Sequence, residues 1–151
     1  MMKKLLITVI IALGLHAAPI EMGTKIDNLE IVDQFEKLHK IGEDTKLILF
    51  ASDKETSDIL KDYLLSQKEN ILEKNSAVYV ADISGMPSII SKFIALPKMK
   101  KYPFSILLLD ENSKELFTKE DGKIIVYDLE NLEVKNIRKI STSKELEEII
   151  K

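Results

Sequence analysis

Three short apolar runs constrain this chain more than any other feature: Leu47-Ile48-Leu49-Phe50-Ala51, Ala77-Val78-Tyr79-Val80-Ala81 and Phe104-Ser105-Ile106-Leu107-Leu108-Leu109. Each is apolar at consecutive positions, the pattern of a strand covered on both faces. Between the first two, the sequence predicts a helix opening near Thr56 or Ser57, either a suitable cap, with Ile59, Leu60, Tyr63, Leu64, Ile71 and Leu72 at helical spacing. Between the second and third, Ser84-Gly85-Met86-Pro87 breaks the strand and Pro87 suits a first helical turn. Ile89, Ile90, Phe93 and Ile94 then give that helix an apolar face, and Pro97 is expected to end it. Strands joined by helical crossovers lie parallel.

The flanks read as hairpins. Leu29–Val32 and Lys37–Ile41 form one, preceded by a polar leader, Ala18–Asn28, read as loop. After Leu109 the chain turns at Asp110–Ser113, and Glu115-Leu116-Phe117 is expected to pair back as a strand. Asp121-Gly122 is a hairpin turn signal leading into Ile124–Tyr127, with a further strand through Leu132-Glu133-Val134 that decays after Asn136. Thr142-Ser143-Lys144-Glu145 is a capping box opening a last helix with Leu146, Ile149 and Ile150. The expected class is α/β: a mixed sheet with helices on both faces.

At 151 residues there is material for one domain. Lys3-Lys4, the apolar stretch Leu5–Leu15 and the small Ala17-Ala18 have the charge, length and ending of a secretory signal peptide. The expected organisation is a signal peptide over residues 1–17 and a folded domain over 18–151, delivered to the periplasm. Removing residues 1–17 takes away two lysines and no acid, so 22 basic residues fall to 20 against 25 acidic ones, net −5. An acidic surface disfavours nucleic acid, which needs a basic footprint. Lys98, Lys100 and Lys101 form the one basic cluster and read as a solvated edge. Membrane contact is expected only through the signal segment before cleavage.

The order of elements, in an exported chain of this size, resembles the thioredoxin-like fold, in particular its periplasmic thiol-disulfide and peroxiredoxin-related branches. Two segments carry the likeness. Leu47-Ile48-Leu49-Phe50-Ala51-Ser52 resembles the strand and Phe-x-Ala-Ser step that lead to the family's redox motif. Lys101-Tyr102-Pro103-Phe104-Ser105 stands where the family has its cis-proline loop, and its Tyr-Pro-aromatic-Ser step is similar to that of exported YtfJ-type proteins. The resemblance implies a cis bond before Pro103, with backbone groups beside it open to an extended peptide by strand addition. The departure is chemical. Where the family places Cys-x-x-Cys this chain has Asp53-Lys54-Glu55-Thr56-Ser57, and it contains no cysteine anywhere. Disulfide exchange and thiol peroxidase chemistry need a thiolate, so both are excluded.

Other constellations are weaker. After signal removal His39 is the only histidine, too few for a zinc or copper site or a His-based triad, and it reads as a surface residue. Asp53, Glu55 and Asp58 complement the start of a helix, with a hard-cation site beside Asp82 the sharper alternative. A Ser52–Lys54 nucleophile pair would need a buried, neutral lysine. The expectation is therefore a non-catalytic binding or assembly module with no catalytic residue, metal or cofactor. Its binding surface would comprise Ser52, Asp53, Lys54, Glu55, Met86, Tyr102, Pro103 and Phe104. The expected partner is another periplasmic protein or an extended peptide. The alternative is a non-thiol, hydrolase-like enzyme built from Ser52, Asp53, Lys54 or His39.

Overall fold

The computed structural model describes residues 19–111 and 113–151; the expected signal peptide, residues 1–17, lies outside the described residues. The three apolar runs become β3 (Leu47–Ala51), β4 (Ala77–Asp82) and β5 (Ile106–Leu109), all parallel. Two antiparallel strands, β6 (Ile124–Glu130) and β7 (Glu133–Ile140), complete a five-stranded sheet of order β5-β4-β3-β6-β7. Helices flank it: α1 (Lys54–Leu65), a short α2 (Ile71–Lys74), and after β7 the C-terminal α5 (Ser143–Ile149). The mixed sheet flanked by helices is the fold class that the sequence predicts. Helices do not cover both faces as expected, however: one face is covered by non-helical segments. A two-stranded ribbon, β1 (Glu30–Val32) with β2 (Leu38–Lys40), is the expected first hairpin.

The two faces of the sheet are covered differently. One face packs Leu49, Ala51, Tyr79 and Ile106 against Leu60, Tyr63 and Leu64 of α1 and Leu146 of α5. The Tyr63 hydroxyl donates to the Ile150 carbonyl at 2.7 Å and ties the two helices together. The opposite face packs Ile48, Phe50, Val80 and Tyr127 against Ile20, Ile26, Ile31, Ile41 and Phe117, none of them helical. The polar leader is thus a structural strap: its isoleucines fill that face, and the Ile20 amide donates to Leu116.

Several expectations change. Neither Thr56 nor Ser57 caps α1; Asp53 does, accepting from the Thr56 amide at 2.8 Å. That helix ends at Leu65, and Ile71 and Leu72 belong to α2. Glu115-Leu116-Phe117 is no strand: the segment crosses from the β5 edge to reach β6, so the Asp121-Gly122 turn joins no hairpin. The true hairpin is β6–β7, turning at Asn131-Leu132, both with positive φ (49° and 68°). Strand β7 runs to Ile140, four residues past the point where its pattern fades, because its only two buried residues serve opposite faces, Val134 the non-helical face and Ile140 the helical one.

The largest departure is the crossover from β4 to β5. Pro97 does not end the helix there; α3 (Ser88–Ile90), a π-helical turn (Ser91–Ala95) and α4 (Leu96–Met99) run on through it. In the wide turn the Leu96 amide reaches back five residues to Ser91. A proline inside a helix clashes with the carbonyl four residues earlier, and widening the preceding turn relieves that contact. No residue of the 88–99 helix is buried; only Met99, at its end, packs on the sheet core. The ground beside β4 and β5 is taken instead by Phe104, stacked on Tyr102 at 5.5 Å and packed near Tyr79.

Candidate functional site

Because β3 and β4 are parallel, their C-terminal ends open on the same side, where α1 begins and the chain leaves β4. In open α/β sheets this edge is where ligands sit. The standoff of the 88–99 helix leaves a cleft of about 750 Å³ there, between that helix and α1. Tyr79, Met86, Ile94, Met99, Tyr102 and Ile106 supply its apolar lining. Of the predicted surface, Ser52, Asp53, Lys54, Met86 and Tyr102 line the cleft. Glu55, Pro103 and Phe104 do not: Glu55 and Pro103 are exposed outside it, and Phe104 is buried in the core.

Asp53 occupies the position where a thiol enzyme would use the helix start, and its carboxylate is fully engaged. One oxygen accepts from the Thr56 amide and hydroxyl (2.8 and 2.7 Å), the other from the Gly122 amide at 2.8 Å. Burial alone raises the Asp53 carboxyl; the Gly122 and Thr56 donors outweigh it and hold the group below the ordinary aspartate value. A depressed carboxylate stabilises the fold above the unfolded pKa and loses that contribution as pH falls through the folded one. Asp53→Ala should therefore cost about 2 kcal/mol at neutral pH, from a lost cap and an unpaired Gly122 amide. In urea titrations the gap between wild type and variant should narrow as pH drops below about 4.

Most of the cleft's other charges are paired. Asp82 sits at the end of β4 with its side chain buried; Lys119 neutralises it and the Ser84 amide donates to it at 2.8 Å. Burial pushes the Asp82 carboxyl up, and these partners bring it below its usual value. Lys54 and Lys61 hold Asp58 at 2.7 and 3.3 Å, with the Lys54 hydrogen bond the main cause that lowers Asp58. The sequence could not signal Lys119 or Tyr79 as cleft residues, since one lies in an irregular segment and the other reads as core.

This geometry does not bring His39 to the cleft or bury Lys54 beside Ser52. Lys54 is 90% exposed and engaged by Asp58, not buried beside Ser52. His39 lines no part of the cleft: its Nε2 lies 2.6 Å from Oδ2 of the buried Asp33, so it is half-buried in a hydrogen bond rather than a free surface residue. Burial raises the Asp33 carboxyl, but His39 and the Lys37 and Phe35 amides hold it low. Among the described residues no group of three or more acidic or histidine side chains could hold a metal ion, so Asp53, Glu55, Asp58 and Asp82 do not form a hard-cation site.

The proline loop also differs from what the resemblance implies. Every described peptide bond is trans, Tyr102–Pro103 included. Pro103 precedes an edge strand that is parallel to β4, and the backbone beside it is already used. The Gln34 carboxamide donates to the Phe104 carbonyl and accepts from the Ile106 amide, both at 2.7 Å, as a neighbouring strand would pair, while the Tyr102 amide donates to Met99. Asp33 bridges Leu107 further along the same edge. Strand addition beside Pro103 is closed off by the chain itself. The loop that meets the start of α1 is the one before β6, through Gly122.

No family model matches this sequence, and no curated protein matches it. Solved structures do. The thioredoxin domain of a thiol-disulfide oxidoreductase from Bacteroides vulgatus superposes with a TM-score of 0.54 at 15% identity, covering 87% of this chain and 99% of that one. A thio-disulfide isomerase from Thermus thermophilus gives 0.51 at 17% identity, covering 83% and 91%. A peroxiredoxin-like protein from Aquifex aeolicus gives 0.51 at 8% identity, covering 87% and 89%. At these identities the likeness is one of fold. The chain has a thioredoxin-like fold and, having no cysteine, is inert as a thiol-disulfide catalyst.

Proposed function

We propose that this chain is a non-catalytic binding module of the periplasm that holds an apolar segment of another exported protein in the cleft between α1 and the 88–99 helix. The observation that carries the reading is the cleft itself: roomy, apolar-walled, placed at the ligand edge of the sheet, with most of its charges, Asp82 and Asp58 included, already paired within the protein. A site of that kind rewards the burial of apolar side chains. Docking is through side chains, since the β5 edge is occupied by Gln34. Export is supported by Lys3-Lys4, the Leu5–Leu15 stretch and Ala17-Ala18.

Selection of displayed random peptides on the purified protein tests this. Enriched peptides should carry large apolar side chains and, titrated into isotope-labelled protein, shift the amide resonances of Ser52, Ser57, Tyr79 and Tyr102. Tyr102→Ala should weaken them about 10-fold, the loss typical of one aromatic anchor. Enrichment that is equal on the Tyr102→Ala protein, or shifts confined to other surfaces, would refute the reading.

A further inference from the structure

The 88–99 helix carries an apolar face that nothing in the described fold covers. Ile89, Phe93 and Ile94 are 69%, 67% and 60% exposed, and Ile90 and Met86 are 40% and 39% exposed. Scattered exposed apolar residues are ordinary, but five on one short projecting segment mark an interaction surface. The charge around them is as unusual. From Ile83 to Leu109 the chain has four bases, Lys92, Lys98, Lys100 and Lys101, and no acid, although acids outnumber bases over the whole sequence. All four lysines are exposed, and the Lys92 ammonium lies 5.6 Å from the centre of the Phe93 ring.

We infer that the 88–99 helix is an interfacial anchor that docks this protein on an anionic lipid bilayer. Aromatic and aliphatic side chains projecting from a helix flanked by lysines match the boundary between acyl chains and headgroups: the apolar tips enter the hydrocarbon edge and the lysine stems reach up to the phosphates. Each lysine near a negatively charged surface adds attraction that a neutral bilayer lacks. A protein partner would need a groove shaped to this protruding face, whereas a bilayer needs no matching shape. The helix lies on the surface rather than spanning: among the described residues no helix is long and apolar enough to cross a membrane. Such an anchor extends the membrane contact expected of the signal segment alone to the folded domain. Met86 and Ile94 also line the cleft, whereas Ile89, Ile90 and Phe93 do not, so the face extends beyond the cleft.

The chain contains no tryptophan, so Phe93→Trp installs a single fluorescent reporter at the tip of the face. In the full-length protein, vesicles rich in phosphatidylglycerol should blue-shift the emission of this reporter, and lipids brominated on their acyl chains should quench it. Neutral phosphatidylcholine vesicles should do neither. Adding Lys92→Gln and Lys100→Gln should weaken partitioning about 30-fold, and adding Ile89→Asp should abolish the shift. Four results would overturn the inference. The first is co-sedimentation with vesicles but no quenching, which means tethering by residues 1–17 alone. The second is an equal response to neutral vesicles. The third is a blue shift without lipid that grows with protein concentration, which means a second copy covers the face. The fourth is the same shift at every concentration, which means the helix folds down over the cleft.

Discussion

Gln34→Leu should lower the unfolding free energy by about 3 kcal/mol, the largest loss expected from any single polar residue in the molecule. Gln34 is 1% exposed, and its carboxamide is the strand-like partner of two backbone groups, the Phe104 carbonyl and the Ile106 amide. Leucine fills similar space but leaves both groups buried and unpaired, each costing about 1–3 kcal/mol. For a domain of this size the melting temperature should fall by about 10 °C. Gln34→Glu is the sharper control. It keeps an acceptor for Ile106 but turns a carboxylate toward the Phe104 and Met99 carbonyls, so it should cost at least as much. Hydrogen exchange at the Ile106 amide should accelerate in both variants; unchanged protection there would show that the edge holds without Gln34.

Phe117→Ala should cost about 4 kcal/mol in chemical denaturation, against about 1 kcal/mol for Phe117→Leu. Phe117 is 3% exposed although it belongs to no strand or helix. Its ring stacks on Phe50 at 5.0 Å and meets Tyr127 edge-on at 5.5 Å, pinning the long 110–123 crossing onto the sheet. Alanine opens a cavity under rigid strands β3 and β6, which have little freedom to collapse into it. The loss should reach the cleft, because the same crossing carries Lys119 to Asp82. A variant with unchanged stability would mean that Leu116 and Ile20 cover the face alone.

How far the sequence could be read follows from what each signal reports. Consecutive apolar residues marked β3, β4 and β5 correctly because double-sided burial leaves a trace on every position. The capping box at Thr142 was legible because its partners are three residues apart. Asp121-Gly122 misled because a turn signal is local, while the choice of strand partner is made across the sheet: β6 pairs with β3, more than seventy residues away. The apolar spacing at Ile89–Ile94 was read correctly as a face, but spacing does not say what a face meets. The site was half legible for the same reason. Ser52, Asp53 and Lys54 follow directly from the end of β3, whereas the roles of Gln34, Gly122 and Lys119 exist only through contacts distant in sequence.

Residues 20–34 close the sheet at both flanks, Lys25 bridging β7 and Asp33 with Gln34 sealing β5. They are made well before their partners, which lie seventy to over a hundred positions later. A nascent chain therefore carries its own edge protectors but cannot deploy them until those distant partners have emerged. Until then the apolar strands have open margins, which invite pairing between neighbouring molecules. Slow delivery or crowding should thus aggregate this protein more readily than its finished form suggests, and trimming residues 19–34 should leave that vulnerable interval permanently open.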